Sequence, residues 1–197
     1  NKINSITDYF HLGKENLLLI NVNLALKNKV EKFSQLIYEI KSKKIDDTTS
    51  FKQRFYFIEG KIEKNQFGGN YNFLTINLGK NDSISNEMAV INSKGIIGIT
   101  EQVSNNYSRV QSILNRNSKI NARLKNSSYF GSLMWNGIDY NILQLLDIPR
   151  QAIIKNGDTI VTGGMSTIFP ADIPIGKVIY TEEGASIKRI VHIQLFN

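Results

Sequence analysis

Cysteine is absent from the 197 residues, and histidine occurs only twice, as His11 and His192. The first absence removes disulfides, thiolate zinc sites, iron–sulfur clusters and cysteine nucleophiles. The second removes metal sites built on several imidazoles, so no metal and no cofactor is expected. Nothing approaches 18 consecutive apolar residues, so no segment reads as a membrane span. No basic stretch followed by an apolar one opens the chain as a signal peptide would. It begins at Asn1 rather than Met, as a piece of a longer protein with its anchor elsewhere would. Proline is confined to positions 149, 170 and 174, and no glycine occurs between Gly13 and Gly60.

What is present is 41% hydrophobic and 21% charged, ordinary for a globular domain with a buried core. The net charge of +7 is compatible with nucleic acid or an anionic surface. Residues 1–45 hold eight lysines against four acids, more than half of that excess. A chain rich in Asn, Ile and Lys accumulates positive charge without a functional cause.

The breaker-poor stretch from residue 5 to about 44 predicts one helix, roughly 60 Å long at ~1.5 Å per residue. Tyr9, Asn16, Asn23, Val30 and Ile37 recur at heptad position a, with Leu12, Leu19, Leu26, Phe33 and Ile40 at d. Eight of these ten are apolar and alternate three and four apart, which is a coiled-coil seam. Both exceptions are Asn at a, where matched side-chain amides favour an in-register two-stranded pairing at some cost in stability. The e and g positions carry no ion-pair code, and Phe10, Leu17 and Leu24 add a second stripe. The plainer alternative is an amphipathic helix lying on its own domain.

After Asp46–Ser50 the pattern turns to period two. Strands are expected at Arg54–Lys64, Tyr71–Leu78, Met88–Asn92, Ile96–Val103, Tyr107–Leu114, Ile120–Leu124, Phe130–Trp135, Ile138–Leu145, Thr159–Thr162, Gly176–Thr181 and Ser186–Leu195. Asn136–Gly137 reads as a two-residue hairpin turn. About eleven strands with turns every eight to twelve residues point to small barrels or sandwiches, more naturally two units than one sheet.

Catalytic constellations do not assemble. Gly164-Met165-Ser166 lacks the second glycine of a nucleophile elbow, since position 168 is Ile. His192 reads as a strand residue with a satisfied ring. Asp139, Asp147 and the pair Asp46–Asp47 occupy ordinary turn positions. Gly95-Ile-Ile-Gly98 reads as a hairpin turn and strand, not a phosphate loop. Arg54-Phe55-Tyr56-Phe57 and the series Arg109, Arg116, Lys119, Arg123 supply pieces of a nucleic-acid surface. Alternation sets Phe55 and Phe57 on one face and Tyr56, Ile58 and Ile62 on the other, which suits a protein-binding edge equally well. Trp135 reads as core.

Met88–Thr100 followed by Tyr107–Leu114 resembles the MreC family of cell-shape-determining proteins, over its periplasmic region. So do Phe130–Gly137, Asp147-Ile-Pro-Arg150, Gly157–Gly163 and Ile168–Gly176, in family order over roughly residues 54–181. Where the family usually has glycine, this chain has Ser83, Glu87 and Asp172, so those loops are expected to be shaped differently. The resemblance implies a mainly β fold with one long N-terminal α-helix. The coiled-coil helix would be followed by two small six-stranded-type β-barrels, the second similar to a chymotrypsin-like half barrel without its triad. It divides the chain into a dimerisation helix (1–45), a first barrel (51–88 with 172–197) and a second (89–171). It further implies a non-enzymatic homodimeric scaffold of peptidoglycan elongation, capable of higher assembly. Such a scaffold sits on the periplasmic side of the inner membrane behind an N-terminal transmembrane helix. The implied partners are a class B penicillin-binding transpeptidase, MreD, and MreB through a cytoplasmic segment. On the residues, Phe55 and Phe57 are the expected partner-binding pair. The alternative is a nucleic-acid-binding dimer of OB-like barrels.

Overall fold

The computed structural model describes residues 2–42, 55–183 and 188–197, with helix side chains described at 13–34 and 37. Two compact units divide the chain, Asn1–Glu59 and Gly60–Asn197. In the first, α1 runs unbroken over Lys2–Ser42, 41 residues. Gly13 lies inside it and does not interrupt it; a single glycine costs only ~1 kcal/mol, which a helix of this length absorbs.

The second unit contains eleven strands among the described residues: β1 (Ile62–Gln66), β2 (Phe73–Ile76), β3 (Ala89–Ile91), β4 (Ile96–Val103), β5 (Ser108–Ser112), β6 (Ile120–Leu124), β7 (Phe130–Met134), β8 (Ile142–Pro149), β9 (Thr159–Thr162), β10 (Pro174–Glu183) and β11 (Lys188–Leu195). Five form an open sheet in the order β1-β2-β5-β4-β3, and six close into a barrel, β10-β11-β8-β7-β6-β9. The expected class, mainly β behind one long helix, is what forms. Of the two expected barrels one is closed, while β1–β5 remain a five-stranded sheet. The allocation of strands also differs: β10 pairs with β9 and β11 with β8, so the chain after residue 172 closes the barrel instead of returning to β1 and β2. Residues 89–112 correspondingly belong to the open sheet.

Alternation sets the barrel core. Ile120, Ala122 and Leu124 of β6 face inward with Leu143 and Leu145 of β8 and Val191, Ile193 and Leu195 of β11. Along β8 the parity then shifts, so that Ile148 is buried. Leu146 and Asp147 oppose the single residue Ile190 there, and Asp147 takes φ 70° as part of that β-bulge. Ile96 and Ile113 join the same buried cluster from the sheet. At that join Gly95 has φ 151°, and a Cβ on it would collide with Pro174 O, so only glycine fits.

Two local expectations are corrected. The strand expected from Arg54 starts at Ile62; Arg54 lies outside the described residues, and the backbone of Phe57 is taken by a helix side chain. Asn136–Gly137 is not a two-residue hairpin, because residues 135–141 form a wider loop between β7 and β8. Gly137 does adopt φ 83°, but Trp135 leaves the ladder to bury its indole at 2% exposure. Its Nε1–H donates to Asp139 O at 2.8 Å, Tyr140 stacks on it at 5.3 Å, and Arg116 clamps Asn136 O. Trp135 is core, as expected.

At the three positions where the family usually has glycine the backbone is left-handed. Ser83, Glu87 and Asp172 sit at φ 63°, 64° and 68°, the left-handed conformation that glycine adopts at no steric cost.

Candidate interaction surface

The described part of the heptad seam is solvent-facing. Leu19, Leu26, Val30, Phe33 and Ile37 are 52–63% exposed, and Asn16 and Asn23 are exposed beside them. The side chains of Tyr9, Leu12 and Ile40 lie outside the described residues. Helix positions Leu24, Asn28 and Glu31 are half-buried instead. They are spaced i, i+4, i+7 and fall at heptad positions b, f and b, opposite a and d.

The chain coming back from the helix meets that outer face. Phe57 N–H donates to Asn28 Oδ1 at 3.0 Å, and Asn28 Nδ2 donates to Phe57 O at 3.3 Å. Lys27 Nζ lies 5.9 Å from the centre of the Phe57 ring, within cation–π range. Phe55 and Phe57 are half-buried, while Tyr56 and Ile58 are exposed. The alternation expected from the sequence is therefore present. The face turned outward is that of Tyr56 and Ile58, while Phe55 and Phe57, the pair expected to meet a partner, are half-buried; alternation separates the two faces without deciding which turns out.

The basic residues considered for nucleic acid are mostly engaged within the fold. Arg109 stacks over Phe73 at 3.6 Å and pairs with Glu101 at 3.6 Å. Arg116 holds the Asn136 carbonyl, and Arg123 binds the carbonyls of Leu124, Lys125 and Ser127 together with the Asp172 carboxylate. Three of the four cations thus do not form a free basic strip.

Residues with catalytic potential are spread apart. Ser166 Oγ accepts Ile168 N–H at 3.1 Å in a local turn, and Asp139 Oδ1 accepts Asn141 N–H at 2.8 Å. The Asp147 carboxyl is held below the ordinary carboxylate range, chiefly by the hydrogen bond from Lys188 Nζ at 2.7 Å. His192 is 5% exposed, stacked on Tyr180 at 4.1 Å. Its Nε2 is 3.3 Å from a Glu182 carboxylate oxygen but makes no aligned hydrogen bond, so the ring is stacked and ion-facing rather than fully satisfied. Among the described residues no group of three His, Asp or Glu could share a metal ion, and no helix is long and apolar enough to cross a membrane. Asp46, Asp47 and the side chain of His11 lie outside the described residues.

The described chain is thus a helix with an exposed apolar stripe, a five-stranded sheet and a closed six-stranded barrel, mainly β in class. The family is read from residues 62–197, which match the model described as "Rod shape-determining protein MreC, barrel core". The chain belongs to the MreC family of cell-shape-determining proteins. It is 28% identical over 112 residues to the cell shape-determining protein MreC of Streptococcus pneumoniae, an alignment covering 55% of this chain and 41% of that protein. The chain thus spans about two fifths of that relative's length. Among solved structures, MreC of Listeria monocytogenes matches with TM-score 0.67 at 23% identity, covering 87% of this chain and 88% of that one. A Helicobacter pylori structure, a complex between penicillin-binding protein PBP2 and MreC, matches with TM-score 0.52 at 18% identity, covering 64% of this chain and 78% of that one.

Proposed function

We propose that this chain is the extracytoplasmic part of a non-enzymatic scaffold for peptidoglycan elongation. It dimerises through the helix and binds and activates a class B penicillin-binding transpeptidase. The observation that carries the reading is the seam. Five large apolar side chains at a and d stand more than half exposed. The face opposite is the one that receives the chain's own returning segment. A second copy covering a and d would remove that apolar surface from water, at about 25 cal/mol per Å². Asn16 and Asn23 would then meet their own counterparts and fix an in-register pair.

Membership of the MreC family supports the scaffold role, and the Helicobacter pylori complex supports the class of partner. Activation follows if the scaffold makes contacts with the transpeptidase that exist only in its active conformation, since a ligand shifts a population by its differential affinity. The family relation extends the reading to a membrane anchor ahead of the helix, to MreD, to MreB on the cytoplasmic side and to assembly beyond the dimer.

Sedimentation equilibrium tests the first part: a dimer of this chain is expected, and a monomer at tens of micromolar would remove the seam. Calorimetry against the soluble part of the same organism's elongation transpeptidase tests the second. Saturable binding at one partner per chain that survives added salt is expected. Binding to single-stranded oligonucleotide with steep salt dependence would instead favour a nucleic-acid module.

A further inference from the structure

A cleft of about 510 Å³ opens on the second unit, a size within the range of small-ligand sites. Ile99 of β4 and Gln111 of β5 line it from the sheet, opposite each other in register and so side by side on one face. Asn117, Ser118 and Lys119 reach it from the turn before β6, Ile168 from the segment before β10, and Glu87 from the segment before β3. Its polar groups are unused by the fold. Ser118 is only 6% exposed, yet its hydroxyl bonds to no other described residue, and neither do the side-chain amides of Gln111 and Asn117. Enclosing a hydroxyl without a partner is uncommon in folded chains. Glu87 makes no ion pair among the described residues and stands at φ 64°. Such an angle costs a non-glycine residue stability and is found most often where a ligand is held.

The chemistry of the lining narrows the occupant. Lys119 is its one cation, against the carboxylates of Glu87 and Glu101, so it does not suit a phosphate backbone. β4 and β5 are interior strands whose main-chain groups are spent on their neighbours, so a peptide cannot add there as a strand. What the cleft offers is side-chain amides, a hydroxyl and a carboxylate, which together donate to and accept from hydroxyl and amide groups. Beside them half-buried Ile99 and Ile168 can cover a methyl group. Hydroxyls, an amide and a methyl occur together on each unit of an N-acetylated amino-sugar chain. We propose that this cleft binds such a glycan. Gln111, Asn117 and Ser118 take its hydroxyl and amide groups, Glu87 accepts from a hydroxyl, and the two isoleucines receive an acetyl methyl. The choice of glycan rests on the peptidoglycan role proposed above, and the cleft gives that scaffold a hold on the polymer its partner enzyme cross-links.

The test titrates the N-acetylglucosamine tetrasaccharide into the whole chain and follows its amides by NMR. Cellotetraose, the same chain length without acetamido groups, is the control. Saturable shifts centred on Gln111, Asn117 and Ser118 are expected from the first sugar and not from the second. Gln111→Leu and Ser118→Ala should each weaken binding about tenfold, the worth of a hydrogen bond whose partner is left unpaired. Thermal melting shows that each variant has folded. Glu87→Gly should melt higher and yet bind more weakly, an opposition that a merely structural role for Glu87 would not produce. No saturable shift, equal shifts from both sugars, or unchanged affinity in all three folded variants would overturn the cleft. Shifts at these residues from a sugar-free peptidoglycan stem peptide, with none from the tetrasaccharide, would overturn the glycan and assign a peptide. Transpeptidase binding without glycan binding would remove the cleft and leave the scaffold function intact. Glycan binding without transpeptidase binding would do the reverse.

Discussion

Arg123 and Asp172 are joined by an ion pair in which the carboxylate belongs to a residue standing at φ 68°. The guanidinium is the more enclosed partner, and its other donors are spent on three carbonyls of the turn after β6. A non-glycine residue is thus held in the left-handed region by a bond that glycine could not make. The same conformation at Ser83 and Glu87 has no such partner among the described residues.

The three positions should therefore separate on substitution. Ser83→Gly and Glu87→Gly remove left-handed strain of about 1–2 kcal/mol but add unfolded-state freedom, for a net gain near 0.5 kcal/mol. Asp172→Gly relieves the same strain and loses the ion pair, leaving Arg123 unpaired, and should be destabilising. Urea unfolding of the three variants checks the opposite signs.

Asp147 carries a pH dependence of known sign. Its folded carboxyl is more acidic than usual because Lys188 bonds the charged form. The stabilisation is complete above the ordinary carboxylate pKa and is lost as pH falls through the lower, folded value. The pair is about half exposed, so the effect is small. Unfolding midpoints between pH 7 and pH 2 should decline less in Lys188→Ala than in the unaltered chain below about pH 4.

Gly95→Ala should destabilise the second unit by at least about 2 kcal/mol, combining a forbidden backbone angle with collision against Pro174 O. If thermal melting showed no loss, the close approach between the sheet and β10 would be wrong.

In the proposed dimer Asn16 and Asn23 would be buried against their counterparts, so replacing both with Leu should raise thermal stability while letting other oligomers form. Sedimentation velocity reads the species. An unchanged dimer of unchanged stability would contradict the seam.

The single tryptophan offers a spectroscopic check on the barrel. Trp135→Phe keeps much of the apolar volume but leaves Asp139 O without its donor, at a cost of about 1–3 kcal/mol. In the unaltered chain the buried indole should emit as an apolar-site fluorophore and shift red as the barrel melts.

Local pattern made the elements legible and left their partners hidden. The helix was readable because no breaker stands between Gly13 and residue 42, and β4, β6 and β9 have the bounds their alternation indicated. Barrel closure by β10 and β11 was not readable, since pairing with β8 and β9 is a long-range choice that period-two alternation does not encode. The wide loop at 135–141 was missed for a related reason: Asn-Gly favours a tight turn locally, but burial of the Trp135 indole outweighs it. At Phe55–Ile58 alternation separated the two faces, while only the contact with Asn28 decides which faces out. The positive φ values at Ser83, Glu87 and Asp172 show the limit of substitution rules, because neighbouring structure can impose a backbone angle on a residue that disfavours it.

β11 is the stave between β8 and β10, and it is made from the final strand of the sequence, Lys188–Leu195. During synthesis the barrel can therefore not shut until Lys188–Leu195 has emerged. Until then β8 and β10 each present an unpaired edge, the kind of template on which chains aggregate. Closure joins segments far apart in sequence, so folding of this unit should be slow and all-or-none compared with the helix. A chain cut before Lys188 would keep its helix and remain a target for proteolysis everywhere else.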